Sequence, residues 1–138
     1  MTAKEYLEQI EQYSIKIKQT ELELECLRET AGGASAIRYD KDRVQVSIVD
    51  GPLERNVMMI IDLEEKLLVM KMQYSTLVAE ARQMIQSLEN ENDRIVLKLH
   101  YIDFHSFNRM AAELNKDVRW LKRVHNRALE SFEILYNP

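Results

Sequence analysis

The chain is poor in the residues that interrupt helices and in those that staple small folds. Its 138 residues include only three Gly, two Pro and one Cys. A single cysteine excludes an internal disulfide and suits a reducing cytosol; Cys26 falls in an apolar-periodic stretch, where a small helix residue is the expectation. So few Gly and Pro argue for long helices and against a turn-rich sheet protein. No apolar run approaches the length that spans a bilayer, and no basic and apolar leader opens the chain, so a cytoplasmic protein with no membrane partner is expected. Catalytic signatures are missing as well. His100, His105 and His125 are the only histidines, with no HExxH, no Cys pair and no i,i+4 His pair beside them. Without a Gly-rich phosphate loop or a Ser, His and acid grouping, no enzyme activity, cofactor or metal is expected.

What the chain has in quantity is periodic apolar residues and charge, 46% hydrophobic and 30% charged, with a formal net charge of −4. The charge is divided unevenly. Residues 1–92 hold 11 basic and 17 acidic side chains, a balance of −6, and residues 93–138 hold 8 and 6, a balance of +2. The acidic part repels a nucleic-acid duplex, so any such contact belongs to the C-terminal part.

Thr2 and Glu5 form a Thr-x-x-Glu capping box that starts a first helix. Tyr6, Ile10, Tyr13, Ile17, Thr20, Leu24 and Leu27 then step by four and three, a coiled-coil seam broken only by Thr20, and Ala31-Gly32-Gly33 is expected to end it. Residues 1–31 are therefore one coiled-coil helix. Residues 32–52 lose the pattern and read as a flexible connector, although Val44, Val46 and Ile48 alternate like a short strand. Pro52 suits a first helical turn, so a long second helix spans 53–89, with Ile60, Leu63, Leu67, Met70, Tyr74, Leu77, Ala81, Met84 and Leu88 as an unbroken apolar seam. It pairs with the first helix, either as an antiparallel hairpin within the chain or across a dimer. A break is expected at Asn90 to Asp93.

From residue 93 to 135 the pattern shortens. Ile95, Val96 or Leu97, Leu99 and Ile102 give a covering helix. Ser106 caps a second short helix with Met110, Ala111 and Leu114 inside. Asn115 tolerates the left-handed conformation and Asp117 caps the next helix, so Asn115-Lys116-Asp117 is a tight turn. In the last helix Leu121, Val124, Ala128, Leu129 and Phe132 share one face. Lys116, Arg119, Lys122, Arg123 and Arg127 stand against a single acid, Asp117. Early residues of such a helix reach base edges while Lys and Arg neutralise phosphates. The expected DNA-binding residues are Lys116, Arg119, Trp120, Lys122, Arg123, Asn126 and Arg127, with Trp120 open to two readings, a thymine or sugar contact or a filler against the preceding helix.

The stretch RIVLKLHYID followed by FHSFNRMAAELNKDVRWLKRVHNRALESF, ending in Arg127-Ala128-Leu129, resembles the DNA-binding region four of bacterial sigma factors. The length and the long helical N-terminal part resemble small phage and prophage proteins of Gram-positive bacteria that are grouped with late-gene transcriptional regulators. The match of motif covers roughly Asp93 to Phe132, and upstream only the layout corresponds. Asn115 stands where that family has Gly, and Asn108-Arg109 where it has acids.

The expected fold is all-α, a long two-helix coiled-coil hairpin followed by a C-terminal three-helix helix-turn-helix domain. The resemblance implies a sequence-specific transcriptional regulator whose partner is double-stranded DNA, with RNA polymerase a further candidate and a homodimer as the working form. The competing expectations are a coiled-coil interaction factor that acts on polymerase or another host protein without DNA, and a recognition subunit for DNA packaging.

Overall fold

The computed structural model describes residues 1–41 and 52–138, with side chains described for 1–30 and 54–138. Among the described residues every regular element is helical: α1 (Ala3–Lys41), α2 (Pro52–Gln86), α3 (Glu91–Leu97) running into one π-helical turn (Lys98–Ile102), α4 (Phe107–Leu114) and α5 (Val118–Tyr136). None of these helices is long and apolar enough to cross a membrane. The chain divides into two compact units, residues 1–14 with 73–138, and residues 15–72.

In the 15–72 unit the periodic apolar residues of α1 and α2 face each other. Leu24 and Leu67 are buried, and Ile17, Leu27, Ile60, Leu63 and Met70 are half-buried. The one polar seam residue, Thr20, is buried too; its hydroxyl donates to the Lys16 carbonyl at 2.9 Å and lies 3.8 Å from the Met70 sulfur. A hydroxyl satisfied by its own helix is inexpensive to bury, which explains how Thr sits in an apolar row. Outside the seam, Arg28 pairs with Glu64 and Lys71 with Glu21 at 3.2 Å. Residue numbers fall on α2 as they rise on α1, so the two helices run antiparallel within this unit. Exposed pairs of this kind contribute about 0–1 kcal/mol each, so the seam carries the packing.

The other unit is built around the start of α1. The Thr2 hydroxyl accepts from the Glu5 amide at 3.2 Å and the Glu5 carboxylate accepts from the Thr2 amide at 3.1 Å, the reciprocal cap expected from the sequence. The Ala3 amide donates to the Glu133 carboxylate of α5 at 2.6 Å. Beneath this tie one core joins Tyr6, Leu7 and Ile10 of α1, Ala81 and Ile85 of α2, Leu88 after it, Leu97, Tyr101 and Ile102, and Ala128 and Phe132 of α5. The Tyr6 ring stacks on Tyr136 at 4.7 Å and on Phe132 at 6.1 Å. Leu7, Ile10, Ile85 and Phe132 are essentially fully buried, each worth about 1.5–3 kcal/mol over an exposed position. A second, smaller core of Val96, Met110, Leu121 and Val124 lies under α4 and the first half of α5.

Three boundaries differ from those expected. Helix α1 does not stop at Ala31-Gly32-Gly33 but continues to Lys41. Each mid-helix Gly costs only about 1 kcal/mol relative to Ala, and the Ala-rich sequence around them, free of proline, keeps the helical ladder intact. Residues 32–41 of the expected connector are thus helical, and the strand-like Val44, Val46 and Ile48 lie outside the described residues. The break after α2 falls at 87–90, a little before Asn90 to Asp93; the Ser87 hydroxyl donates to the Gln83 and Met84 carbonyls and Asn90 caps α3 by accepting from the Asn92 amide at 2.8 Å. Finally, the compact unit that contains α3, α4 and α5 is larger than residues 93–135, because Ala128 and Phe132 are buried against the start of α1 and the end of α2.

Candidate nucleic-acid interface

The turn between α4 and α5 is fixed by three side chains. Ser106, extended at φ −71° and ψ 162°, accepts from the Arg109 amide at 3.2 Å and starts α4. Asn115 ends it in the left-handed region at φ 56° and ψ 43°, and the Lys116 amide closes back on the Ala111 carbonyl at 3.2 Å. Asp117 then accepts from the Trp120 amide at 2.7 Å and starts α5. All three are what the residue types dictate: short polar side chains at helix starts, and Asn where a Cβ must tolerate positive φ.

Leu121 and Val124 hold α5 onto the small core, which turns Arg119, Lys122, Arg123 and Asn126 outward. Their positions, separated by three, one and three residues, form a single exposed row along the helix. Arg119, Lys122 and Arg123 have no ion-pair partner among the described residues, so three guanidinium or ammonium groups stand side by side uncompensated. The remaining expected contacts have partners within the chain. Lys116 is exposed with its ammonium 5.1 Å from the centre of the Trp120 ring, a cation–π contact. Trp120 is half-buried and packs against the small core, the filler role. Arg127 reaches back to Asp93 of α3, with Nη2 at 2.8 Å and Nε at 3.2 Å from one carboxylate oxygen. Asp93 is 3% exposed, so Arg127 neutralises a buried charge and keeps α5 registered on α3.

Behind the basic row lies an aromatic and histidine cluster that the spacing did not announce. The π turn, closed by the Asp103 amide on the Lys98 carbonyl at 3.0 Å, and Phe104 at φ 58° end the α3 segment. An extra residue in that turn points Tyr101 and Ile102 both inward. The Tyr101 hydroxyl lies 2.6 Å from His125 Nε2. His100 stacks on Phe107 at 4.6 Å and meets His125 edge-on at 5.3 Å, and its Nδ1 lies 2.9 Å from the His105 carbonyl. Burial first, then His100, holds the His125 pKa below the ordinary imidazole value; a hydrogen bond with the Asn126 side chain acts the other way and Lys4 adds to the lowering. His125 is therefore neutral at pH 7, and its ring shares one hydrogen bond with the Tyr101 hydroxyl through Nε2. Burial, with Glu8 adding to it, raises the Tyr101 pKa. His125 shares α5 with the exposed row and braces it from inside.

Among the described residues no cluster of three His, Cys, Asp or Glu side chains is placed to hold a metal ion. His105 Nδ1 lies 3.3 Å from the Glu113 carboxylate, which also takes the Arg109 guanidinium at 3.2 Å. Comparison with known proteins gives no match: no family model fits the chain, and no curated protein or solved structure is significantly similar to it.

Proposed function

We propose that the chain is a sequence-specific DNA-binding regulator of transcription, of the kind that serves phage or prophage late genes, and that it docks α5 in the major groove. The finer architecture in this reading is a coiled-coil hairpin of α1 and α2 followed by a three-helix unit, with α3 covering a helix-turn-helix made of α4 and α5. The observation that carries it is the exposed, unpaired row of Arg119, Lys122 and Arg123 beside Asn126, presented by a helix that starts directly after a left-handed turn.

The chemistry of each residue fits a role. Arg and Lys form paired hydrogen bonds to guanine O6 and N7, Asn pairs with adenine N6 and N7, and any member of the row that misses a base edge meets phosphate. In an acidic chain, such a row gains affinity mainly by releasing counterions from the duplex. Lys116, at the edge of the turn, is assigned to phosphate. Arg127 and Trp120 serve the surface from behind by fixing α5. The test is selection from a random duplex library with the purified chain. The expected result is one enriched motif, lost in a Lys122→Ala/Arg123→Ala variant that keeps its helicity. A library that stays unenriched, with protein passing through heparin at low salt, would move the reading to an interaction factor without DNA.

A further inference from the structure

Helix α2 carries a second apolar stripe that the described side chains of α1 do not cover. In the 15–72 unit Val57, Ile61, Leu68 and Met72 are 45%, 48%, 61% and 62% exposed. At 3.6 residues per turn these four side chains fall within about 60° of arc. From Ile61 the stripe runs 61, 65, 68, 72, alternating four and three, which is a heptad seam with Glu65 as its only polar member. It lies on a different side of α2 from Ile60, Leu63, Leu67 and Met70, which face α1. One helix therefore carries two seams, and among the described residues one of them is occupied.

Beside the open seam is a groove lined by Leu24, Leu67 and Leu68, with Glu21, Glu25, Arg28, Glu64 and Lys71 at its rim. Contiguous exposed apolar side chains rimmed by polar ones mark an interaction surface more often than a bare monomer surface. The rim says what covers it. Glu64 and Lys71, which pair with Arg28 and Glu21 on the α1 side yet each keep about half of their side-chain surface open, are opposite in sign and seven residues apart, two turns along the same edge of the seam. When two copies of α2 meet antiparallel, with Ile61 against the partner's Met72, Glu64 comes beside the partner's Lys71, and the twofold axis repeats both contacts. Glu65 then lies over the partner's Leu68, where its methylenes cover the leucine and its carboxylate reaches water. A nucleic acid fits this surface poorly, because the unit belongs to the acidic part of the chain.

We propose that the Val57, Ile61, Leu68 and Met72 stripe, with the Glu64 and Lys71 edge, is a docking surface for a second copy of this chain running antiparallel. The inference goes beyond DNA recognition and does not depend on it, since the surface is in the 15–72 unit and the basic row is in the other.

The experiment is sedimentation equilibrium of the full chain without DNA. The wild type is expected at twice the 16.3 kDa chain mass. Leu68→Glu should weaken self-association by about tenfold or more, as the loss of a central anchor does, and should leave far-UV helicity unchanged because Leu68 is exposed. Glu64→Lys and Lys71→Glu should each weaken self-association alone, by placing like charges opposite, and a one-to-one mixture of the two should recover dimer mass. A wild type at single-chain mass throughout the concentration series overturns the proposal. So does a dimer indifferent to Leu68→Glu, or a mixture that fails to recover.

Discussion

At the scale of single residues the most informative pair is Asp93 and Arg127. The carboxylate is buried, with its side chain 4% exposed, whereas the Arg127 side chain is 52% exposed. Breaking the pair is therefore asymmetric. Arg127→Ala leaves a carboxylate in the interior without its counter-charge, which costs about 3–5 kcal/mol. Asp93→Ala frees a guanidinium that reaches water, and should cost clearly less. Urea unfolding of the two variants checks the order, and equal losses would mean that the carboxylate finds another partner. Nothing in the sequence pointed to this pair. Arg127 reads as one more member of a basic helix, and Asp93 reads as part of a helix break, because a buried acid has no signature until its partner is placed.

The same scale holds the pH response. The unfolded chain protonates His125 near an imidazole pKa of about 6.5, whereas burial lowers the value in the folded chain. The unfolded state then binds more protons, so stability falls as pH drops through about 6.5 and keeps falling until the folded pKa is reached. Tyr101 has the opposite sign: its raised pKa keeps stability intact below about 10 and loses it as pH climbs beyond. Melting curves should show a lower Tm at pH 5 than at pH 7.5, and His125→Gln should reduce that difference. Tyr101→Phe, which leaves a buried ring nitrogen without its hydroxyl partner, should cost about 1–3 kcal/mol at pH 7.5.

At the scale of elements, local chemistry accounts for most of what forms. The seam residues on α1 and α2 were legible because burial at helical spacing repeats over many turns, and each of them with a described side chain is buried or half-buried. Ser106, Asn115 and Asp117 were legible because a cap or a left-handed turn needs few residue types. The end of α1 was not, since glycine weakens a helix without forbidding it. The π turn at Lys98–Ile102 was not either, because it depends on Tyr101 and Ile102 both finding places in a core made by other helices. Two substitutions probe this level. Asn115→Gly should hold or raise stability, whereas Asn115→Val, a branched residue at positive φ, should lower it by about 1–2 kcal/mol or more. Leu67→Ala, which removes a buried side chain from the α1 and α2 seam, should lower it by about 2–5 kcal/mol.

For the whole molecule, the arrangement of charge is the feature that joins fold to function. In an acidic chain three basic groups without an ion-pair partner among the described residues, Arg119, Lys122 and Arg123, stand together on the outer face of α5, while neighbouring basic residues serve packing: Arg127 on Asp93, Arg94 on the Leu88 carbonyl, Lys116 on Trp120. The sequence located the basic helix but could not sort its members, because the sorting depends on what α3 places beneath each one. In the proposed reading Arg119, Lys122, Arg123 and Asn126 are the residues that meet the duplex.

The central claim, that this outer row binds duplex DNA, is tested most directly by the salt dependence of affinity for the selected duplex, wild type against Lys122→Ala/Arg123→Ala, with helicity of the variant verified. If the chain neutralises 6 to 8 phosphates as a pair of copies, affinity should fall by about three to four decades between 50 and 200 mM salt. Each removed contact lowers the log–log slope by about 0.9, so the double variant, counted in two copies, should bind more weakly and with a slope smaller by about 4. A variant that binds as tightly as the wild type with the same slope would contradict the account.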